Sequence, residues 1–321
     1  MRTALLRRFG GPEVIEFADV PRPEPGPGQV LVRVAAAAVN RIDLSTRDGA
    51  LARAGLLAPA PAYALGWDVA GTVTATGPGV ARFAGGDAVI GLRDVLSAPG
   101  TYAEYVVLDE GALAPAPRTV PLPAAATLPL IGLTADRSLA LTGLGPGGIL
   151  LVTGAAGGVG GLVLQLAAAR GIRTVALARP RDEALVAGLG ATWFVPHGGA
   201  AETQAEVETV AAAVRRVVPG GVDAVIDAAV LGVPAHEALR GGGVFVTLVA
   251  PFAPPPLRAT RVVVQEVFAD GARLGELSAL VDAGQLTLAV ADTYPLDRAA
   301  DAHRRLAAGG LRGRLVLVPG H

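Results

Sequence analysis

The chain has 321 residues, 27 basic against 28 acidic side chains and a net charge of −1, and its Arg is scattered in ones and twos. That balance offers no footprint for nucleic acid or anionic lipid. Cys and Lys are both absent, which excludes disulfides, Cys-ligated zinc, iron–sulfur clusters, cysteine nucleophiles, lysine Schiff bases and a lysine phosphate clamp.

The start, Met1 to Arg8, carries too short an apolar stretch for a signal peptide. Through about residue 120, short β-rich runs alternate with turn signals: Gln29 to Ala35, Asp68 to Ala75 and Tyr102 to Leu108. Pro21 to Gly28 and Gly77 to Val80 punctuate them, because repeated Pro and Gly set turns and do not sit in central strands. The pattern predicts a β-rich barrel or sandwich. In it, Tyr102 and Tyr105 are expected to pack the β core.

From about Leu122 the pattern changes to apolar strands separated by helical stretches, which predicts βαβ units and a parallel sheet. Strands are expected at Ile149 to Thr153, Thr174 to Ala178, Ala224 to Asp227 and Val244 to Val249. Helices are expected at Val159 to Arg170, Arg181 to Gly188, Glu202 to Val217, Gly271 to Ala283 and Leu296 to Ala307, before a last strand at Gly313 to Val318. A mean hydropathy of +0.49 raises the question of a membrane span. The uncharged stretch Gly147 to Ala169 answers it, since its clustered glycines read as strand, tight turn and helix. We therefore expect a soluble, cytoplasmic protein.

The sequence Gly154-Ala155-Ala156-Gly157-Gly158-Val159-Gly160 joins the strand at Ile149 to the helix at Val159. Glycine there permits a positive φ, lets backbone approach a diphosphate at Gly157 and allows close packing at Gly160, while the helix N-terminus supplies N–H donors. The strand before it and the strand at Thr174 complete the βαβ unit that such a turn needs to bind a dinucleotide. The second strand ends in Ala178-Arg179-Pro180-Arg181, with no acid until Asp182. An acid there would take a ribose 2′-hydroxyl; Arg179 and Arg181 suit a 2′-phosphate instead, so NADPH is expected over NADH. The alternative is that both are solvated surface arginines.

Together these segments resemble the medium-chain dehydrogenase/reductase superfamily, in its zinc-independent quinone oxidoreductase (zeta-crystallin-like) branch. The resemblance rests on Phe9-Gly10-Gly11-Pro12-Glu13, Asn40-Arg41-Ile42-Asp43, Gly66-Trp67-Asp68-Val69-Ala70-Gly71, Val80 to Gly91, Gly100 to Tyr105, Leu128 to Thr134, Ala155 to Gly160 and Gly313 to Leu317. It implies an α/β protein with a doubly wound Rossmann sheet and a GroES-like β-barrel catalytic domain. Residues 1–122, completed by 268–321, would form the catalytic domain, and 123–267 the NADP(H)-binding domain. Hydride would pass directly from the nicotinamide to a substrate carbon, with the active site in the cleft.

Zinc-dependent relatives use two Cys and a His in a Gly-His-Glu motif. Here Cys is absent and the motif reads Gly66-Trp67-Asp68, so no metal is expected. The four His, at 197, 236, 303 and 321, lack ligand spacing and are expected in surface or capping roles. The resemblance assigns Asn40, Asp43 and Thr134 to the catalytic set. Asn40 and Asp43 either face the cleft or hold the loop after the strand, and Thr134 either lies near the nicotinamide or bonds its own helix backbone. Val249, Ala250 and Pro251 end a strand where a Rossmann sheet places its ligand and could hold the carboxamide through their backbone; Arg314 joins the cofactor contacts. Tyr63, Trp67 and Phe252 are substrate-pocket candidates.

No tyrosine proton donor follows Asn40 to Asp43 as in many enoyl and alkenal reductases, which favours a quinone over an enone. An enoyl or alkenal double-bond reductase, or a non-catalytic NADPH-binding regulator, are the competing readings. A homodimer is expected through an edge strand near Arg261 to Val267.

Overall fold

The computed structural model describes residues 1–94, 100–198 and 209–320. Contacts divide it into two compact units, Met1–Leu133 with Val267–His321 and Thr134–Glu266. Residues 123–133, expected to open the cofactor domain, fall in the first unit. The division lies within one helix.

The first unit opens with β1 (Arg2–Leu6), β2 (Glu16–Asp19), the long β3 (Gln29–Val39), α1 (Arg41–Arg47), α2 (Ala50–Arg53) and β4 (Tyr63–Ala64). It continues through β5 (Asp68–Thr76), β6 (Ala88–Leu92), β7 (Tyr105–Asp109), β8 (Leu113–Pro115), α3 (Leu122–Ala125) and the start of α4 (Pro129–Thr142). The second unit takes up β9 (Ile149–Thr153), α5 (Gly158–Ala169), β10 (Arg173–Ala178), α6 (Glu183–Gly188), β11 (Trp193–Pro196) and α7 (Val210–Val217). It ends with β12 (Val222–Asp227), α8 (Val233–His236), β13 (Leu239–Thr247) and β14 (Arg261–Val264). The chain returns to the first unit with α9 (Gly271–Asp282), β15 (Val290–Pro295), α10 (Ala299–Ala308) and β16 (Arg314–Val318).

In the first unit, β15-β16-β3-β5-β6-β8 follow one another across a sheet in which β7 also pairs with β3, while β2-β1-β4 form a second sheet. This is the half expected to be GroES-like, and its pairings among the described residues do not close into the expected barrel. The inward faces of β3, β5 and β7 alternate as a half-buried strand should, placing Val30, Val32, Val34, Val69, Val73 and Val106 in one core. The antiparallel pairing of β16 with β3 sets Leu315 opposite Val39 and Leu317 opposite Ala37. That register carries Arg314 to the neighbourhood of Asn40.

In the second unit, the strand order is β11-β10-β9-β12-β13-β14 and every pairing is parallel. This is the doubly wound order with its reversal beside β9. The runs Leu150–Val152 and Ala224–Ile226 are fully buried, as strands covered on both faces must be. Strand β13 starts at Leu239, ahead of the expected Val244, because the strand passes through Gly241-Gly242-Gly243; Gly242 takes φ +74°, which glycine accommodates without strain. It stops at Thr247, short of Val249. The described part of the helix expected from Glu202 begins at Val210, where the Thr209 hydroxyl accepts from Ala212 N at 3.1 Å; residues 202–208 lie outside the described residues.

No helix among the described residues is long and apolar enough to cross a membrane.

Candidate functional site

The glycine turn sits at the carboxyl end of β9, and its glycines do different work. Gly154 adopts φ +59°, and a Cβ there would lie 3.3 Å from Ala229. At Gly160 a Cβ would come within 2.4 Å of Gly154 O and 2.8 Å of Ala155 Cα, so only glycine lets α5 start this close to the strand end. Gly157 caps α5 with extended backbone that any residue adopts. Its face is exposed, and a Cβ would meet only Gly154 O, at 3.1 Å. Ala155 is fully buried, whereas Ala156 is half-buried. The first-turn N–H groups Gly158 to Gly160 have no acceptor within the helix, and with the helix dipole they leave donors at the α5 N-terminus beside the exposed Gly157 face.

The end of β10 is equally open. Arg179 caps a short 3₁₀ turn, Pro180–Asp182, and both Arg179 and Arg181 are exposed. Asp182 is buried beneath them, so no carboxylate stands at the surface of that strand end before Glu183.

At the end of β12, Asp227 is fully buried and shapes the loop that follows. It accepts from Thr153 Oγ1 at 2.6 Å, Leu231 N at 3.0 Å and Gly232 N at 2.8 Å. Thr153 Oγ1 in turn accepts from Ala229 N at 2.9 Å. The loop held this way contains Val230 at φ +60°, a conformation that a β-branched residue adopts only under constraint. Beyond β13, Val249 leads into the 3₁₀ turn Ala250–Phe252; Phe252 is more than half exposed. Thr134 is buried on α4.

The first unit holds a buried polar cluster. Asn40 N donates to Asp43 Oδ2 at 2.7 Å and Gly66 N donates to Asp43 Oδ1 at 2.9 Å. Asn40 Nδ2 donates to Asp68 Oδ2 at 2.7 Å and to Ala38 O at 3.3 Å. Asp68 Oδ1 accepts from Leu130 N at 2.6 Å. Arg314 Nη2 donates to Val39 O at 2.8 Å and to Asn40 Oδ1. Both amide hydrogens of Asn40 are thereby spent on protein acceptors, and none is left for a substrate carbonyl. Burial pushes the Asp43 carboxyl up to about 7, against the opposing hydrogen bonds from Asn40, Gly66 and Tyr102. Burial likewise raises Asp68 to about 6, with the Asn40 and Leu130 bonds and Arg314 pulling the other way. The Arg314 guanidinium is lowered by burial and supported by Asp68 and Asp43.

Tyr102 is buried in the core as expected, and its hydroxyl lies 3.5 Å from His303 Nε2. His303 Nδ1 lies 3.3 Å from Arg47 Nη1, and burial with that nearby charge drops its pKa to about 3. Three expectations need correction. His303 and His236 are interior residues, not surface ones; His236 Nε2 meets Thr260 Oγ1 at 2.8 Å. Tyr105 does not pack the core but lies half-exposed under the Arg22 guanidinium, 4.1 Å from its ring centroid. An aromatic face at a sheet surface is covered there by a cation. Of the remaining His, His197 is half-buried and position 321 lies outside the described residues.

Tyr63 meets Phe9 with ring centroids 5.0 Å apart and planes tilted by 31°, and its hydroxyl accepts from Ala60 N at 3.2 Å. Trp67 is buried just ahead of β5, with its indole Nε1 lacking a hydrogen-bond partner among the described residues. Sequence reasoning quoted Asp68 only as part of a motif and missed Asp227 altogether. Each follows a visible signal, a carboxylate in or ending an otherwise apolar strand.

The parallel sheet and its glycine turn define a dinucleotide-binding α/β unit, carried with a GroES-like one. Two family models match: the alcohol dehydrogenase GroES-like domain over residues 26–118 and the zinc-binding dehydrogenase domain over residues 189–317. The chain is 30% identical to the NADPH-dependent alkenal/one oxidoreductase, chloroplastic, of Arabidopsis thaliana over 99% of this chain and 80% of that one. It is 30% identical to a quinone oxidoreductase of Mus musculus over 99% of this chain and 98% of that one. Among solved structures, an NAD-dependent alcohol dehydrogenase superposes with a TM-score of 0.86 at 32% identity, covering 100% of both chains. A mycobacterial protein complexed with NADPH superposes at 0.83 with 29% identity, over 99% of this chain and 100% of that one. The chain belongs to the medium-chain dehydrogenase/reductase superfamily of oxidoreductases, in its quinone oxidoreductase branch.

The zinc in the second model's name does not fit these residues. The sequence has no Cys, Trp67 precedes Asp68, and no group of three or more His, Cys, Asp or Glu among the described residues could hold a metal.

Proposed function

We propose that this chain is an NADPH-dependent reductase that passes hydride directly to a quinone or a related conjugated carbonyl compound, without a metal. The observation that carries the reading is the pairing of an open glycine turn with two exposed arginines, Arg179 and Arg181, at the end of the neighbouring strand. The exposed Gly157 face lets a diphosphate approach the α5 N-terminus, and the planar donors of Arg179 and Arg181 suit a 2′-phosphate. The backbone of Val249, Ala250 and Pro251 takes the carboxamide, with Thr134 beside the nicotinamide. NADPH, when bound, supplies the hydride. The protein contributes position, orientation and exclusion of water.

Asn40 and Asp43 serve this reaction as positioning residues, since their hydrogen bonds close on the protein itself. Arg314 holds the Asn40 amide in one orientation. Tyr63, Trp67 and Phe252 are proposed substrate contacts. A quinone asks for no dedicated acid, because solvent can protonate its reduced oxygens. The likeness to an alkenal/one oxidoreductase supports a second reading, an enone double-bond reductase, in which a donor would have to serve the developing enolate.

NADPH oxidation measured with a quinone panel and an enone panel decides between them. Quinone turnover is the expected result; enone-only turnover supports the second reading, and tight NADPH binding without turnover leaves a regulatory binder. We further propose that β14, the last strand in the sheet order, pairs with its counterpart in a second copy. A monomer in sedimentation equilibrium would overturn that.

A further inference from the structure

The interior of the first unit holds an ionisable group that the proposed reaction leaves unused. His303 lies fully buried on α10, between Arg47 at the end of α1 and Tyr102. Its Nδ1 is 3.3 Å from Arg47 Nη1 and its Nε2 is 3.5 Å from the Tyr102 hydroxyl, with the two rings edge to face at 80°. The Tyr102 hydroxyl also forms a hydrogen bond with Asp43. The four side chains make a line that starts at a permanent cation and ends at a carboxyl group.

The protons along that line follow from the chemistry of its members. A guanidinium has donors and no acceptor, so Arg47 donates and His303 Nδ1 accepts. Burial and the neighbouring Arg47 charge keep the imidazole neutral. A neutral ring that accepts at Nδ1 carries its proton on Nε2. Nε2 therefore donates to the Tyr102 oxygen, and the single phenol proton is left for Asp43. The other tautomer fails at both ends. It sets Nδ1–H against an Arg47 N–H, and it offers a bare Nε2 that draws the Tyr102 proton away from Asp43.

That direction matters because of what Asp43 holds. Its two oxygens accept from Asn40 N at 2.7 Å and Gly66 N at 2.9 Å, which joins the N-cap of α1 to the turn that leads into Trp67. The other charges facing this line are Asp68 on β5 and Arg314 on β16, beside Asp43, and Glu13, Asp48 and Arg304 around Arg47.

We propose that His303 is a positioning residue: held as the Nε2–H tautomer by Arg47, it aims the Tyr102 phenol proton at Asp43 and so fixes the Asn40 cap and the Gly66–Trp67 turn. The inference rests on the reading of Asn40 and Asp43 as positioning residues of a reductase.

Nitrogen-15 NMR of histidine-labelled protein reads the proton placement without any ligand. His303, assigned by its contact with the Tyr102 ring, should show a bare Nδ1 and a protonated Nε2, unchanged from about pH 5 to 8. Carbon-13 NMR of labelled aspartate reads the other end. Tyr102→Phe deletes the phenol proton and should raise the Asp43 midpoint by about half a pH unit or more, as loss of one hydrogen bond implies. His303→Asn keeps an acceptor for Arg47 but removes the Nε2 donor, and it should raise the midpoint by about 0.3 unit, the share of a hydrogen bond lost when its neighbour in a chain goes. His303→Gln, whose amide nitrogen can reach the place of Nε2, should restore the wild-type midpoint. In turnover, His303→Asn should raise the quinone KM about threefold, less than a whole hydrogen bond is worth, with the NADPH KM unchanged, and His303→Gln should recover it. A protonated Nδ1 in the wild type overturns the proposal. So does an Asp43 midpoint that Tyr102→Phe leaves unmoved, or that His303→Asn and His303→Gln move equally. Should the variants misfold, the tautomer in the wild type decides. A wild type that turns over neither quinone nor enone overturns the reductase reading, while the tautomer and the Asp43 midpoint, read on the free protein, still decide the proton placement.

Discussion

Two sets of polar groups, one in each unit, are organised in different ways. In the first, Asn40, Asp43, Asp68 and Arg314 bind one another and nearby backbone, so the cluster is largely closed. In the second, the ends of the parallel strands leave groups open: the exposed Gly157 face, exposed Arg179 at the end of β10 and the Gln265 amide, whose Nε2 has no partner among the described residues. A closed cluster specifies a fold, because each member is stable only in the company of the others. An open set has unsatisfied capacity, and capacity at the carboxyl edge of a doubly wound sheet is what a dinucleotide requires. The contrast predicts that substitutions in the first set change stability before binding, and those in the second change binding before stability.

The largest effect is expected from Arg314→Leu. It removes the charge that Asp68 and Asp43 face and leaves Val39 O and Asn40 Oδ1 without their donor. Breaking a buried charge set from one side costs about 3–5 kcal/mol, which denaturant unfolding would read as a lowered midpoint. Because Asp68 and Asp43 can take up protons, part of that cost is relieved at lower pH. An Arg314→Leu protein as stable as wild type would show that the cluster is not closed.

The pH dependence of that cluster has a definite sign. The Asp43 carboxyl titrates near 7 in the folded protein against an ordinary value of 3.8, so between those limits the folded state holds more protons than the unfolded one. Its contribution to stability is therefore complete below about pH 4 and is lost as pH rises toward 7. Asp68, raised to about 6, acts in the same direction over a narrower window. Carbon-13 NMR of labelled aspartate should find one carboxyl titrating near neutrality, and Arg314→Leu should push it higher still, since a stabilising positive charge has gone. An Asp43 carboxyl that titrates in the ordinary range would break this half of the comparison.

The open set was far more legible in the sequence than the closed one. The run from Ile149 through Gly160 to Ala178 declares strand, turn, helix and strand within thirty residues, because periodicity and glycine placement are local signals. The closed cluster joins residues 28 and 274 positions apart. It exists because β16 pairs antiparallel with β3 in a register that sets Leu315 against Val39, and no local pattern announces that pairing. The interior positions of His303 and His236 were missed for the same reason: their partners, Tyr102 and Arg47 for one and Thr260 for the other, come from other parts of the chain. Gly160 was read correctly as a packing glycine, yet the tightness of the contact with Gly154 O emerged only from the backbone. Tyr105 failed because alternation does not reveal which face of a strand is covered until its neighbours are known.

Arg179→Ala should have the smallest effect on the folded protein and a selective one on the ligand. Arg179 is exposed at a strand end, so its removal should leave the unfolding midpoint within about 0.5 kcal/mol of wild type, as ordinary surface substitutions do. The proposed partner is the 2′-phosphate, a group that NADPH has and NADH lacks. Losing one charge-assisted contact to it should raise the KM for NADPH about tenfold, given roughly 1.5–3 kcal/mol for a hydrogen bond to a charged group. The KM for NADH should barely move. Arg181 stands two residues on and can retain part of the phosphate contact, so Arg179→Ala with Arg181→Ala should bring the two cofactors closer together than either change alone. Equal effects on NADPH and NADH would mean that the arginines act through the shape of the strand end rather than through the phosphate. In that event the open set would still bind a dinucleotide, but its preference between the two would have to come from other residues.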